Sequence, residues 1–271
     1  MNVLQQLQAK YGSGEGRALY ELVLGQRFGL SRTDVLLGKD TILSAKDKAE
    51  LQIIVDRIIK GEPVQYVLGC EEFCGRTFLV NPDVLIPRPE TQLLVELVKQ
   101  NVAEGNTVLD VGTGSGCIAI TLALAGYKVT ALDVSEGALA VAKQNAERLS
   151  AEVEFLKQDI QDFSVEGRRW EAFVSNPPYI CEKEASTMDE NVLDHEPHLA
   201  LFVPDDDPLL FYRTIAKFGW EHLADEGQIF FEVNSAYAKQ VEELFCGMGY
   251  KETRIMKDQY DKERFVCARK K

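Results

Sequence analysis

Asn176-Pro177-Pro178-Tyr179 gathers hydrogen-bond acceptors and an aromatic ring on a stretch of chain that cannot flex. Asn176 Oδ1 and the Pro177 carbonyl each accept one N–H, and no proline N–H competes beside them. The Tyr179 ring can stack on a flat group. Together they suit one kind of substrate, a planar NH2 group attached to an sp² carbon. The apolar run just before, Ala172 to Ser175, reads as a buried strand, and two prolines force a rigid, extended exit from it. The motif therefore stands at a strand's carboxyl end, where open α/β sheets bind ligands. The same four residues also suit a plain turn that closes a strand. The choice between the two rests on what lies upstream.

Upstream, the strand Thr107-Val108-Leu109-Asp110-Val111 runs into Gly112-Thr113-Gly114-Ser115-Gly116, and a helical segment follows from Cys117. Glycines allow positive φ and close approach of backbone to a ligand, and the helix start adds unpaired N–H groups. The next strand ends near Asp133, about 20 residues on, a spacing suited to a carboxylate that grips ribose hydroxyls. A nucleoside cofactor is implied. The glycine pattern is one residue shorter than the dinucleotide fingerprint, and no Lys-Ser/Thr pair follows as a phosphate loop needs. Asp110 would repel a pyrophosphate but suits a cationic amino group. S-adenosyl-L-methionine carries an adenosine, a sulfonium and an ammonium, and it fits that set. Asp110 either faces the ammonium or caps the glycine turn.

At these residues the chain resembles the protein-(glutamine-N5) methyltransferases of peptide chain release factors, the HemK/PrmC family. The likeness covers nearly the whole chain. It runs through Gln65-Tyr66 with Leu68-Gly69, Leu85-Ile86-Pro87-Arg88-Pro89-Glu90-Thr91, the glycine loop with Asp110 and Asp133, Ser175 to Ile180, and Glu196-Pro197 with Ala200-Leu201. Asn-Pro-Pro-Tyr also occurs in adenine-N6 methyltransferases, whereas Ile-Pro-Arg-Pro-Glu-Thr is far more specific.

The resemblance implies methyl transfer from S-adenosyl-L-methionine to the glutamine N5 of a release factor's Gly-Gly-Gln motif. It implies a catalytic role for Asn176, Pro177 and Tyr179, with Pro178 beside them in the substrate site. It implies a cofactor site of Asp110, Gly112, Thr113, Gly114, Ser115, Gly116, Asp133, Asp159, Ile160 and Asn176, with no metal. Gln92 stands where the family usually has Glu, Asn234 where Gly is more common, and Ile160 where some members carry a bulkier adenine neighbour. Arg88 and Glu90 either pair with each other or line the substrate entrance. Glu232, on a core strand, is read as a paired structural carboxylate and left out of the site.

Composition bounds the rest. A hydrophobic content of 45% supports an ordinary globular core. No run approaches the ~20 apolar residues of a membrane span, and the N-terminus lacks the pattern of a signal peptide. Six cysteines without a C-x-x-C pair read as reduced thiols in a cytoplasm. The three histidines make no metal set; His195 and His198 sit in what reads as a surface loop. Nearly all of the net charge of −13 falls after residue 75. That acidic portion is a poor partner for nucleic acid and suits a basic protein surface, or serves solubility alone. A monomer with a protein substrate is expected, with no direct nucleic acid and no membrane. An adenine-N6 nucleic-acid methyltransferase is the alternative, since an exocyclic amine fits the same grip. It would need a basic cleft for an extruded base.

Residues 1–75 read as a helical bundle, which the resemblance makes a domain that helps hold the release factor. Ser44 is the expected cap of a helix over 45–60, with Leu51, Ile54, Val55, Ile58 and Ile59 on one stripe. Residues 76–90 read as a hairpin-like linker, with short strands expected at 65–68 and 78–85. Residues 91–271 alternate strand and helix, which predicts a doubly wound, Rossmann-like parallel sheet, and the resemblance makes this a class I methyltransferase domain with seven mostly parallel strands and an antiparallel final hairpin. Residues 180–207 read as a long polar loop, either a lid or disordered surface.

Overall fold

The computed structural model describes residues 2–271, which pack as two compact units. The first ends at Cys70 and also takes in Asp189–His195; the second holds the remainder.

The first unit contains α1 (Val3–Tyr11), α2 (Ser13–Phe28), α3 (Arg32–Leu36), α4 (Ala45–Ile59) and α5 (Val64–Leu68). Side chains supply the starts. Asn2 and Gln5 form a reciprocal capping box, and Ser44 Oγ accepts the Asp47 N–H. The α4 stripe buries Leu51, Ile54, Val55 and Ile58 against Leu7, Tyr20, Val23 and Leu24. The expected strand at 65–68 is instead α5. Pro63 starts it and Gly69, at φ 75°, stops it, so local backbone chemistry overrides the β-branched composition.

The second unit opens with a hairpin, β1 (Cys70–Phe73) and β2 (Arg76–Leu79). Its turn places Cys74 at φ 48° and Gly75 at φ 70°, the doubly positive geometry of a two-residue hairpin. The second expected strand, 78–85, ends early because Asn81 Oδ1 accepts the Asp83 N–H and bends the chain. Then come α6 (Pro89–Asn101), β3 (Thr107–Val111), α7 (Cys117–Leu124), β4 (Lys128–Asp133), α8 (Glu136–Leu149), β5 (Val153–Lys157) and β6 (Trp170–Ser175). Residues 180–207 are not a structureless loop. They hold β7 (Ile180–Cys181), a 3₁₀ turn, α9 (Glu190–His195), α10 (His198–Leu201) and β8 (Phe202–Val203), and α9 belongs to the first unit. The chain closes with α11 (Leu210–His222), β9 (Leu223–Glu232), α12 (Ala238–Met248), β10 (Lys251–Lys257) and β11 (Glu263–Arg269).

The main sheet has seven strands in the order β10-β11-β9-β6-β3-β4-β5. The five strands from β9 to β5 are parallel; β11 runs antiparallel to β9, and β10, antiparallel to β11, returns to the direction of the five. One face is covered by α6, α7 and the hairpin, whose Phe73 and Phe78 meet edge to face at 5.9 Å. The other is covered by α11 and α12 around Trp170, Phe173, Tyr212 and Phe245. The chain runs outward from β3 through β4 to β5 and returns as β6 on the other flank of β3. That reversal opens a crevice beyond the carboxyl ends of β3 and β6.

Two glycines test the packing of the first unit. A Cβ on Gly16 would stand 2.6 Å from the Leu7 carbonyl carbon and the Gln8 nitrogen, where α2 crosses α1. A Cβ on Gly14, two residues earlier, meets nothing within 4 Å. Gly16→Ala is expected to destabilise the protein by about 1–3 kcal/mol. Gly14→Ala is expected to be stabilising by about 0.5–1 kcal/mol. Urea titrations followed by circular dichroism read both, and equal effects would contradict the packing described.

Candidate active site

The site is built where three strands end. Gly112 and Thr113 both donate their N–H to the Leu132 carbonyl at the end of β4. Ser175 Oγ, at the end of β6, donates to the Val111 carbonyl at 2.6 Å. Gly114 N–H reaches Asp133 Oδ2 at 2.9 Å. The glycine loop is thereby hung between its two neighbours, with Gly112, Gly114 and Gly116 all at positive φ. A Cβ on Gly116 would lie 2.8 Å from Ile120 and 3.1 Å from Ala142, so here glycine serves close packing as well as φ.

From behind, Asn145 of α8 braces the same loop. It is fully buried and satisfied: its Oδ1 accepts from Leu79 N, and its Nδ2 donates to the Leu79 and Ser115 carbonyls.

A cleft opens over these strand ends, with about 1090 Å³ of empty space counting the part continuous with solvent. Gly112, Thr113, Gly114, Ser115, Asp133, Asp159, Ile160, Asn176, Pro177 and Pro178 line it, as do Thr91 and Arg88. Asp110, Gly116 and Tyr179 do not. Asp110 is wholly buried within β3, and Gly116, the last residue of the loop, packs against Ile120 and Ala142. Tyr179 packs on the core, and its hydroxyl donates to Glu232 Oε1 at 3.4 Å.

Asp133 uses both oxygens within the chain, Oδ2 for Gly114 and Oδ1 for Ser135 N. Burial raises its pKa, opposed by those amides. Asp110 is completely buried. Thr113 Oγ1 donates to its Oδ2 at 2.7 Å, and its Oδ1 has no hydrogen-bond partner among the described residues. Burial pushes this carboxyl up to about 7, against the pull of the Thr113 hydroxyl.

Residues 2–69 match the PrmC N-terminal domain, and residues 89–198 match the methyltransferase small domain. A protein named release factor glutamine methyltransferase, from Bacteroides thetaiotaomicron, is 46% identical over 98% of this chain and 97% of its own length. The chain belongs to the release factor glutamine methyltransferases. A relative of the same name from Flavobacterium psychrophilum is 37% identical over 97% of the chain and 95% of its own. A methyltransferase from Pyrococcus furiosus shares the fold, with a TM-score of 0.56 at 17% identity, covering 84% of this chain and 99% of that one. As a member of its family the chain is a methyltransferase, and no helix among its described residues is long and apolar enough to cross a membrane.

For a release factor glutamine methyltransferase the cofactor question reduces to fit. The cleft has the room for a nucleoside joined to an amino acid. An orphaned, fully buried Asp110 oxygen behind a glycine loop at positive φ suits a cationic group brought close to backbone. The residues present therefore fit S-adenosyl-L-methionine.

Sequence reasoning missed two residues that the fold brings to Asn176. Glu232, read as a structural carboxylate, is buried with Thr91 Oγ1 donating to its Oε2 at 2.8 Å. Asn176 Nδ2 in turn donates to Thr91 Oγ1 at 3.2 Å. The signal available was Thr91 inside the Ile-Pro-Arg-Pro-Glu-Thr segment. Arg88 does not pair with Glu90; it pairs with buried Glu196, whose Oε2 also accepts the Ile86 N–H. Among the departures from the family pattern, Gln92 Oε1 accepts the Cys74 N–H, and Asn234 Nδ2 donates to the Tyr179 carbonyl.

Asp110 makes a testable cost. Unfolded, it titrates near its ordinary value; folded, it holds a proton up to about 7. Between those values the folded state binds more protons, so this group's contribution to stability falls as pH rises and stays low above 7. Asp110→Asn removes the charge. In ligand-free protein, the variant's unfolding midpoint relative to wild type is expected to rise between about pH 5 and about pH 8. A difference that stays flat across thermal melts at the two pH values would contradict the assignment.

Proposed function

We propose that this chain transfers a methyl group from S-adenosyl-L-methionine to the side-chain amide nitrogen, N5, of the glutamine in a release factor's Gly-Gly-Gln motif. The observation that carries the reading is Asn176. It sits on the cleft at the β3/β6 reversal, its Nδ2 is committed to Thr91, and no described residue donates to its Oδ1. That acceptor and the neighbouring Pro177 carbonyl match the two N–H groups of a primary carboxamide.

Bound in the cleft, the cofactor supplies an electrophilic methyl carbon on a sulfonium sulfur. An amide nitrogen is a weak nucleophile, because its lone pair is delocalised into the carbonyl. Asn176 Oδ1 and the Pro177 carbonyl each accept one N–H of the glutamine, which fixes the nitrogen and the plane of the amide. As that nitrogen gains positive charge, the two oxygen dipoles stabilise it more than they stabilise the neutral amide. The proton then leaves to solvent. Tyr179 sets the backbone that carries Pro177 and Pro178 through its bonds to Glu232 and Asn234. Gly112, Thr113, Gly114 and Ser115 would form the backbone cradle of the cofactor, Gly116 lets that loop close, and Asp110, buried out of the cleft, would answer the ammonium's charge without touching it. Asp133 holds the ribose, and Asp159 and Ile160 flank the adenine. The helical unit helps hold the release factor, and the enzyme works as a cytoplasmic monomer with no metal, nucleic acid or membrane partner.

Incubation of purified release factor with the protein and cofactor, followed by peptide mass spectrometry, tests the reading. A gain of one CH2 on the Gly-Gly-Gln glutamine is expected, and none on DNA or RNA offered in parallel. Asn176→Ala is expected to lose about 2–4 kcal/mol of transition-state stabilisation in single-turnover methylation. Calorimetry should find its cofactor affinity nearly unchanged. Near-wild-type turnover by the variant would remove Asn176 from the chemistry.

A further inference from the structure

A carboxamide side chain is ambiguous. Its two ends have nearly the same shape but opposite hydrogen-bonding character. The proposed reaction, on which this inference rests, works only if Asn176 shows its oxygen to the substrate. Turned over, it would offer N–H groups to N–H groups. Something has to fix the sense of the amide.

We propose that Thr91 and Glu232 are positioning residues that fix the orientation of the Asn176 carboxamide through a one-way chain of hydrogen bonds. Glu232 Oε2 accepts the single hydroxyl proton of Thr91 at 2.8 Å. With that proton spent, Thr91 Oγ1 has only lone pairs left, and these face Asn176 Nδ2 at 3.2 Å. The nitrogen is held inward and Oδ1 is left toward the cleft. An ionised carboxylate has no proton to give, so the chain cannot run backwards. Tyr179, 3.4 Å from Oε1, is a second donor to the same carboxylate.

The two positioning members are shielded, while Asn176 itself reaches the cleft. Thr91 is 3% exposed and Glu232 1% exposed. Water therefore does not compete for the hydroxyl. The bonds join three elements, α6, the exit of β6 and the end of β9. The Thr91–Glu232 contact spans 141 positions in sequence.

The charge state of Glu232 is set by its surroundings. Thr91 and Glu90 face it from α6, Tyr179 from the β6 exit, Tyr212 from α11 and Arg264 from β11. Arg264 pairs with Asp258 rather than with Glu232. Burial accordingly pushes the Glu232 carboxyl up to about 7, against the pull of Thr91 and Arg264. Once protonated, Glu232 can donate to Thr91, which frees the Thr91 hydroxyl to donate to Asn176 and lets the amide turn.

Thr91→Val keeps the branched shape and removes the hydroxyl. With cofactor and release factor saturating, its kcat is expected to fall about 10- to 100-fold. The KM for release factor and the Kd for cofactor are expected to stay within about twofold of wild type. Thr91→Ser restores the hydroxyl and should recover most of the turnover. Wild-type kcat should fall on the acid side of about 7. Glu232→Gln, which still accepts from Thr91 but does not titrate there, should lose that fall. Unchanged kcat in Thr91→Val, or failure of Thr91→Ser to recover it, would overturn the inference while leaving the proposed reaction in place.

A readout that needs no turnover separates the two. In ¹⁵N-edited spectra of ligand-free protein, the Asn176 side-chain amide protons are expected to shift and exchange faster in Thr91→Val than in wild type. Identical Asn176 signals would overturn the inference even if the wild type proved inactive on release factors. That inactivity would in turn overturn the reaction and not the hydrogen-bond chain.

Discussion

Hydrogen bonds across the carboxyl ends of β3, β4 and β6 hold three loops at one level. Leu132 takes two amides of the glycine loop, Asp133 takes a third, and Ser175 ties β6 to the last carbonyl of β3. A parallel sheet aligns its strands, but it does not by itself fix what the chain does after leaving them. Here the exits are tied to one another rather than to distant scaffolding. The wall that bears Asp133 and the rim that bears Asn176 therefore keep their spacing from the glycine loop between them. Asn145 adds support from beneath, where a shorter or apolar side chain would leave the Ser115 and Leu79 groups unpaired.

Within that frame the buried carboxylates fall into two kinds. Glu196 and Asp258 each meet an arginine, so their charge is answered inside the protein. Asp110 and Glu232 are as deeply buried and meet hydroxyl donors instead, and both are pushed up to about 7. Packing alone would not retain them, because an unanswered buried charge costs stability. They differ in what remains open. Asp110 keeps one oxygen unpartnered beside the glycine loop. Glu232 has a donor on each oxygen, and its surplus is structural order rather than vacancy.

Much of this was legible in the chain because it is local. Three glycines after an apolar run, a carboxylate about one strand and helix later, and two prolines after a strand are each written within short windows. The alternation of strand and helix from residue 107 onward predicted a doubly wound parallel sheet, and the family resemblance added its seven-stranded topology. What escaped was of two sorts. Gln65 to Leu68 has strand-like composition, but Pro63 and Gly69 decide its conformation. Glu232 and Thr91 lie far apart in sequence and become neighbours only when β9 is laid beside β6 with α6 across its end. No periodicity reports such a meeting. The stretch from 180 to 207 is polar enough to read as loop. It folds because short pairings such as Ile180 with Phe202 and Cys181 with Val203 organise it from both ends.

The hairpin at the start of the second unit has a bearing on where this protein could be cut. A truncation beginning at residue 89, where the match to the methyltransferase small domain begins, would look natural. It would delete Phe73 and Phe78, both wholly enclosed beside Leu94 and Val98, and leave two aromatic-sized voids under α6. It would strip Asn145 of two of its three partners in an interior that water does not enter. It would also take away Val84, Leu85 and Pro87, one bank of the cleft. A fragment that keeps the second unit's core starts before the hairpin, and the apparent linker is part of that unit's own foundation.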